Sequence, residues 1–461
     1  MRGFADYMLD VLNEKTGWGG AVTILQPIEF GTLEPFKAQD CLYTVFLRGL
    51  ENGKEKIEKR IITCCNNAVS CIKEYEQYRA LAEVDTLRFV ISNTTEAGIV
   101  YDSSCKLEDC PPSSYPAKLA KFLFKRYTYY KGDESKGLII LPVELIDDNG
   151  IELKRIVKLH CADWKLEESF VSWLDSACVF ASTLVDRIVT GYPKDESEVF
   201  AEFGYEDKLT VTGEPFALWV IEADRDISGE LPFDKAGLPV IFTDNQKPYK
   251  QRKVRILNGA HTSFVLASFL AGNDYVGQSM DDELIYKFMS GTVFDEIVPT
   301  LDLPPQELKD FANAVIDRFK NPFIKHALLD ISLNSVSKWR ARCLPSLTEY
   351  VKRKGALPSK LCFSIAATIA FYNGTQLKDG VLIGSRNDIP YNIRDDKAVL
   401  EFFAANSKLA ADELVKLFLS NKDFFGADLN EIDGLCDKVS KYLGSIRENG
   451  MREAITAVVA E

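Results

Sequence analysis

Lys253, Asn258 and His261 lie in the stretch KPYKQRKVRILNGAH, Lys247 to His261, which carries five cations in its first nine residues. On a helix turning by about 100° per residue, Asn258 lies about 140° and His261 about 80° from Lys253, so all three share one side and can converge on one bound atom. Moving a hydride to or from a secondary alcohol requires a base for the hydroxyl proton and donors for the developing oxyanion. A lysine serves as that base only where burial or positive neighbours lower its pKa, and Lys250, Arg252 and Arg255 are placed to supply such a field. Asn258 brings an amide donor, and His261 can donate to the same oxygen or to a neighbouring hydroxyl. A solvated basic helix face fits the same spacing, so the pattern alone leaves both readings open.

Bulk properties narrow the classes. A chain of 461 residues exceeds what one core holds, so two or three domains are expected. An apolar fraction of 46% and a charged fraction of 27% are those of an ordinary globular protein. The net charge of −13 disfavours nucleic acid as a partner, because that binding works by neutralising phosphates. The eleven cysteines are scattered, with Cys64 beside Cys65 and no secretory leader, which points to free thiols in a reducing cytoplasm. The apolar run Cys362 to Tyr372 is too short for a membrane span and reads as a buried helix. The chain has three histidines, His160, His261 and His326, and no ligand pair has the short spacing of a zinc site, so no metal is expected. His160, beside Cys161, reads as structural.

The elements that must position these groups follow two rhythms. From Ala21 to Phe242, β-branched runs alternate with helical patterns, as in βα units around a mainly parallel sheet. Strands are predicted at Ala21 to Gln26, Leu87 to Ser92, Gly137 to Leu145, Phe216 to Ile221 and Leu238 to Phe242. Leu42 to Leu47 and Lys59 to Thr63 are weaker candidates. Helices are predicted at Ser70 to Ala82, Tyr115 to Lys125 and Glu168 to Ser176. Pro248, after the capping residues Thr243, Asp244 and Asn245, opens a helix. Beyond it strand-like runs nearly vanish, and amphipathic stretches follow at Asp282 to Met289, Pro305 to Phe319 and Ala410 to Phe418. The expected architecture is an α/β, Rossmann-like domain over residues 1–243 and a mainly helical domain over 244–461.

Lys253-x4-Asn258-x2-His261 at the start of the helical part resembles the mark of the polyol-specific long-chain dehydrogenases, the mannitol dehydrogenase family. ISNTTEAGI (Ile91 to Ile99), STLVDRIVTGYP (Ser182 to Pro193), SYPAKL (Ser114 to Leu119), ELIDDNG (Glu144 to Gly150), NPFIKH (Asn321 to His326) and GMREA (Gly450 to Ala454) extend the resemblance over nearly the whole chain. Within the family it is most similar to the branch acting on altronate and tagaturonate. The resemblance implies a zinc-independent enzyme that uses NAD, with Lys253 where other dehydrogenases use a metal. The nearest rivals are mannonate and fructuronate or another polyol as substrate, or an inactive truncated copy.

Further site residues are expected around this core. Asn93 and Thr94 follow the strand LRFVIS at its carboxyl end, where open α/β sheets bind nucleotides, and are cofactor candidates. Glu29, just after the strand Ala21 to Gln26, is a candidate acceptor for adenosine ribose hydroxyls. Lys338 lies in a segment resembling the family's substrate-binding region and is a candidate partner for a carboxylate or hydroxyl of an anionic sugar acid. Glu144 and Asn149 match a family site region and are substrate candidates, as is Ser182, which stands where mannitol dehydrogenases carry an asparagine that helps bind the oxyanion. Lys325 and His326 form a second polar pair. Family members open with a strand and a glycine-rich turn that this sequence, starting at Met1-Arg2-Gly3-Phe4, lacks; an in-frame upstream segment is expected to encode them.

Overall fold

The computed structural model of the chain describes residues 2–29 and 31–461, Glu96 without its side chain. The chain folds into two compact units, one comprising the chain up to Arg48 together with Glu55–Gln246, the other Gly49–Lys54 and Lys247–Glu461.

The strands of the first part of the chain are β1 (Val22–Gln26), β2 (Tyr43–Glu51), β3 (Lys54–Ile62), β4 (Cys65–Ser70), β5 (Phe89–Ser92), β6 (Ile139–Pro142), β7 (Val179–Phe180), β8 (Ser182–Asp186), β9 (Val189–Gly191), β10 (Val211–Gly213), β11 (Leu218–Glu222) and β12 (Val240–Thr243). The order β5-β6-β7 is parallel throughout, joined by the helices Tyr115–Tyr129, Asn149–Asp163 and Glu168–Ser176. This is the crossover pattern expected of a Rossmann-like domain. β1 pairs in parallel with β4, β11 in parallel with β12 and antiparallel with β8, and β2 in parallel with β10. Among the described residues no strand joins β1 to β5, although Val22, Ile24, Phe89 and Ile91 pack against one core. That core is closed by the helix Ala5–Thr16, whose Met8 and Leu12 are buried along with Phe4 just before it. Buried Asp6 accepts the amides of Gly3 and Phe4, both at 2.9 Å, and so supplies the cap its own helix lacks.

Two expected elements shrink. The run expected as a strand from Gly137 to Leu145 is extended only over Ile139–Pro142, because the chain turns there to aim Glu144 back at β5. The helix expected over Ser70 to Ala82 is Tyr75–Ala80, since Ser70 is taken by β4.

The second unit is helical from Lys247 onward. Helix Ser359–Phe371 is buried on nearly every side. Its amino end is capped from outside, the carboxylate of buried Glu296 accepting the Lys360 and Leu361 amides at 2.8 and 2.7 Å. The expectation that strands all but end at Phe242 needs correction. β13 (Gln376–Lys378), β14 (Val381–Arg386) and β15 (Ile389–Ile393) form an antiparallel meander whose two turns run through left-handed Asp379 and Asn387. No described helix is long and apolar enough to cross a membrane.

Candidate active site

In the first unit register aligns the carboxyl ends of the parallel pairs β5–β6 and β11–β12, and sets the amino end of antiparallel β8 beside β11. Ser92 stands opposite Pro142, and Glu222 opposite both Thr243 and Ser182. Glu144 closes this edge. One carboxylate oxygen accepts the amide and the hydroxyl of Thr94, both at 2.9 Å, and the other accepts the Ser92 hydroxyl at 3.1 Å. The buried carboxylate thus fixes the turn that presents Asn93, which is exposed. Ser182 is buried and its Oγ has no hydrogen-bond partner among the described residues, leaving a donor to offer at this edge. Glu29 is exposed three residues past β1.

Asn149, expected at the substrate, has a different task. Its amide nitrogen donates to Pro142 O, Glu144 O and Thr183 O at 3.0 to 3.1 Å, and its oxygen accepts the Thr183 amide at 2.8 Å. The side chain is fully buried and spent on backbone, so it clamps the ends of β6 and β8 instead of reaching a ligand. Gly150 follows because a Cβ there would sit 2.3 Å from Ala181 O. His160 is buried against Tyr101 and Trp164, a packing role.

In the second unit, the sequence expectation of one regular α-helix through Lys253, Asn258 and His261 is corrected. Lys247–Arg252 is α-helical, Lys253–Asn258 is a π-helical turn, and Gly259–Leu270 is α-helical again. An α-helix would set Asn258 well round from Lys253. In an i→i+5 ladder the residue five positions on lies nearly over the first, so the wide turn brings Asn258 back beneath Lys253. His261, three residues further in a regular helix, shares the face of Asn258. All three are half-buried.

The π turn is pinned by its cations. Arg255 donates to Thr300 O at 3.0 Å and Pro345 O at 3.2 Å. Buried Arg252 pairs with Glu307 and lies 4.5 Å over the Phe311 ring. The Arg252 charge is therefore met by a carboxylate.

His261 is stacked on Phe319 with ring centroids 4.2 Å apart, and the His326 ring stands edge-on at 5.5 Å. Burial, then His326, Arg318, Arg342 and Lys338, hold its pKa well below the usual histidine range. At neutral pH it is an uncharged imidazole that donates through one nitrogen and accepts through the other. Its Nε2 is buried without a partner among the described residues.

Lys338 lies on the helix Ser335–Arg342, half-buried, and donates to Ile331 O at 3.0 Å. Burial and the neighbouring Arg342 lower its pKa. The meander secures this helix, Asp395 accepting the Val336 amide and the Tyr372 hydroxyl while Arg394 O accepts the Asn334 amide at 3.1 Å. Of the pair Lys325 and His326, the lysine is exposed and only the histidine joins His261. Sequence reasoning missed Arg342 and Arg318. For Arg342 the signal was its place four residues after Lys338, on the same helical face. No group of three or more His, Cys, Asp or Glu side chains able to hold a metal ion occurs among the described residues.

Comparison with known proteins accords with this division. The sequence profile of the mannitol dehydrogenase Rossmann domain matches residues 1–235, and that of the mannitol dehydrogenase C-terminal domain matches residues 245–447. The chain is 44% identical to an altronate oxidoreductase of Escherichia coli O7:K1 over 463 aligned residues, 99% of this chain and 94% of the relative. The altronate oxidoreductase of Pectobacterium carotovorum matches to the same extent, 44% over the same shares. Among solved structures, mannitol 2-dehydrogenase of Pseudomonas fluorescens, in a ternary complex with NAD and D-mannitol, is 21% identical with a TM-score of 0.68, covering 100% of this chain and 92% of that one. Substrate-free D-sorbitol dehydrogenase gives a TM-score of 0.79 at 21% identity over 98% and 92%. These two likenesses speak for the fold. With both domain profiles matched in order, and relatives at 44% identity along nearly the full length, the chain belongs to the mannitol dehydrogenase family.

Proposed function

We propose that this protein is an NAD-dependent dehydrogenase that interconverts D-altronate and D-tagaturonate, with Lys253 as general base and acid. The observation that carries the reading is the π turn Lys253–Asn258 leading into the helix Gly259–Leu270, whose periodicity supports Lys253, Asn258 and His261 sharing one side. It is supported by the 44% identity to altronate oxidoreductases.

Bound NAD would supply the hydride acceptor; Asn93 and Thr94, held by Glu144, and Glu29 are the residues assigned to it. The chain's own groups handle the proton and the oxygen. In oxidation the alcohol carbon gives up its hydride, the hydroxyl proton passes to the Lys253 amine, and the oxygen becomes a carbonyl. Asn258 donates its amide to that oxygen while negative charge builds on it. Neutral His261 donates to the same oxygen or the adjoining hydroxyl without the cost of a buried charge. Lys338 holds the far part of the sugar acid, and Ser182 offers a shorter donor in place of the asparagine of mannitol dehydrogenases. In reduction each step runs backwards, Lys253 as ammonium protonating the new alkoxide. The eleven unpaired cysteines suit a cytoplasmic setting.

A panel of altronate, mannonate and mannitol with NAD and with NADP tests the proposal. The expected result is the highest kcat/KM for altronate with NAD. Turnover of mannitol alone would overturn the sugar-acid assignment, and preference for mannonate would move it to the fructuronate pair.

A further inference from the structure

Arg342 and Lys338 lie four residues apart on one face of the helix Ser335–Arg342, a spacing at which like charges repel. Both are half-buried, and among the described residues neither is offset by a carboxylate in contact. Lys338 is satisfied by a carbonyl, and Arg342 by the Thr262 hydroxyl at 3.3 Å, next to His261 in sequence. The nearby acid that acts on Lys338, Asp395, already accepts the Val336 amide and the Tyr372 hydroxyl.

The helix packs closely against the one that carries His261. A Cβ on Gly259 would lie 3.2 Å from Arg342 O, and the Cys343 thiol donates to Gly259 O at 3.6 Å, so the two helices touch closely where the cations emerge. His326 and the unpartnered Nε2 of His261 complete the same neighbourhood. A chain with a net charge of −13 thus gathers desolvated positive charge and imidazoles at one place. Such an arrangement costs stability unless an anion answers it. The hydroxyls of a neutral polyol carry no charge to do so, whereas a carboxylate offers two acceptors that match a guanidinium fork.

We infer that Arg342, with Lys338 one turn before it, binds the carboxylate of the sugar-acid substrate and is the feature by which the enzyme selects an acid over a neutral polyol. The inference rests on the dehydrogenase reading above and adds the group that sets its substrate class. It assigns to Arg342 a contact with substrate remote from the reacting carbon, so its loss belongs in KM more than in kcat.

The test is steady-state kinetics of wild type, Arg342→Gln and Arg342→Lys on altronate and on altritol, its neutral alditol, with thermal melts of each protein. Arg342→Gln is expected to raise KM for altronate roughly 10- to 100-fold, the worth of a charged hydrogen bond, and to lower the altronate-to-altritol preference by a similar factor. Arg342→Lys should recover part of both. A folded Arg342→Gln with KM within twofold of wild type would overturn the inference. A second arm uses wild type alone and stays decisive if the variant fails to fold. The carboxamide of altronate should show KM raised by the same order as the variant, and equal KM for acid and amide would overturn it. If wild type turns over altritol but no sugar acid, the altronate reading itself falls, a result distinct from an unchanged KM in an enzyme active on altronate.

Discussion

Replacing Asn149 by leucine distinguishes a clamp from a substrate contact. The two side chains are similar in size, so the change removes polarity with little change of volume. It leaves the Thr183 amide without its acceptor at 2.8 Å and removes the donor shared by Pro142 O, Glu144 O and Thr183 O, all in fully buried surroundings. An orphaned buried amide costs about 1–3 kcal/mol, and the weakened carbonyl bonds add about 1 kcal/mol, for a total near 3 kcal/mol. For a unit of this size each kcal/mol shifts Tm by about 2–4 °C, giving a fall of about 6–12 °C. Scanning calorimetry reads the shift, and kinetics well below the transition read the site. The clamp role predicts the Tm loss with KM for the sugar acid altered no more than about threefold. A Tm within about 2 °C of wild type, together with a KM raised about 100-fold, would refute the reasoning and return Asn149 to the substrate.

Three further outcomes are expected. His160, His261 and His326 are each held below the usual histidine value, chiefly by burial. Each histidine whose folded value is depressed lets the unfolded chain take up a proton first, so stability is full above about pH 6.5 and falls as pH drops through that value, by up to about 1.4 kcal/mol per pH unit each. Melts from about pH 8 to 5 should show this loss, and His160→Phe should reduce its slope; an unchanged slope would contradict it. Gly150→Ala places a methyl against Ala181 O and Phe180 O, and should cost about 1–3 kcal/mol in a denaturant titration. Glu144→Leu removes the oxygens that hold the Thr94 amide and hydroxyl and the Ser92 hydroxyl, and should raise KM for NAD about fivefold; an unchanged KM would detach Glu144 from the cofactor turn.

The βα rhythm was readable because buried parallel strands are continuous apolar runs, as at Ile139–Pro142, and because the helices Glu168–Ser176 and Pro305–Phe319 carry clean three- and four-residue spacing. The meander was missed although left-handed Asp379-Gly380 is a hairpin signal, because the strand before it, Gln376–Lys378, is exposed and polar and the second turn rests on left-handed Asn387 and Asp388 without a glycine. The π turn could not be seen either. Its residues KVRILN follow an ordinary helical pattern, and its width is tied to Arg255 reaching the carbonyls of Thr300 and Pro345, partners distant in sequence. The same limit applies to Asn149, whose residue type suits a ligand contact and a backbone clamp equally until Pro142 and Thr183 are seen beside it. His326, on the loop ahead of the helix Leu328–Ile331, and Arg342, on the helix Ser335–Arg342, come near His261 only through packing of segments distant in sequence.

The proton transfer assigned to Lys253 is tested most directly by Lys253→Ala, assayed with altronate and NAD in the presence and absence of a small primary amine. The account predicts a fall in turnover on the order of 10² to 10⁴, with the melt retained and activity partly restored as free amine takes the place of the missing side chain. Turnover within about tenfold of wild type in that variant would contradict it.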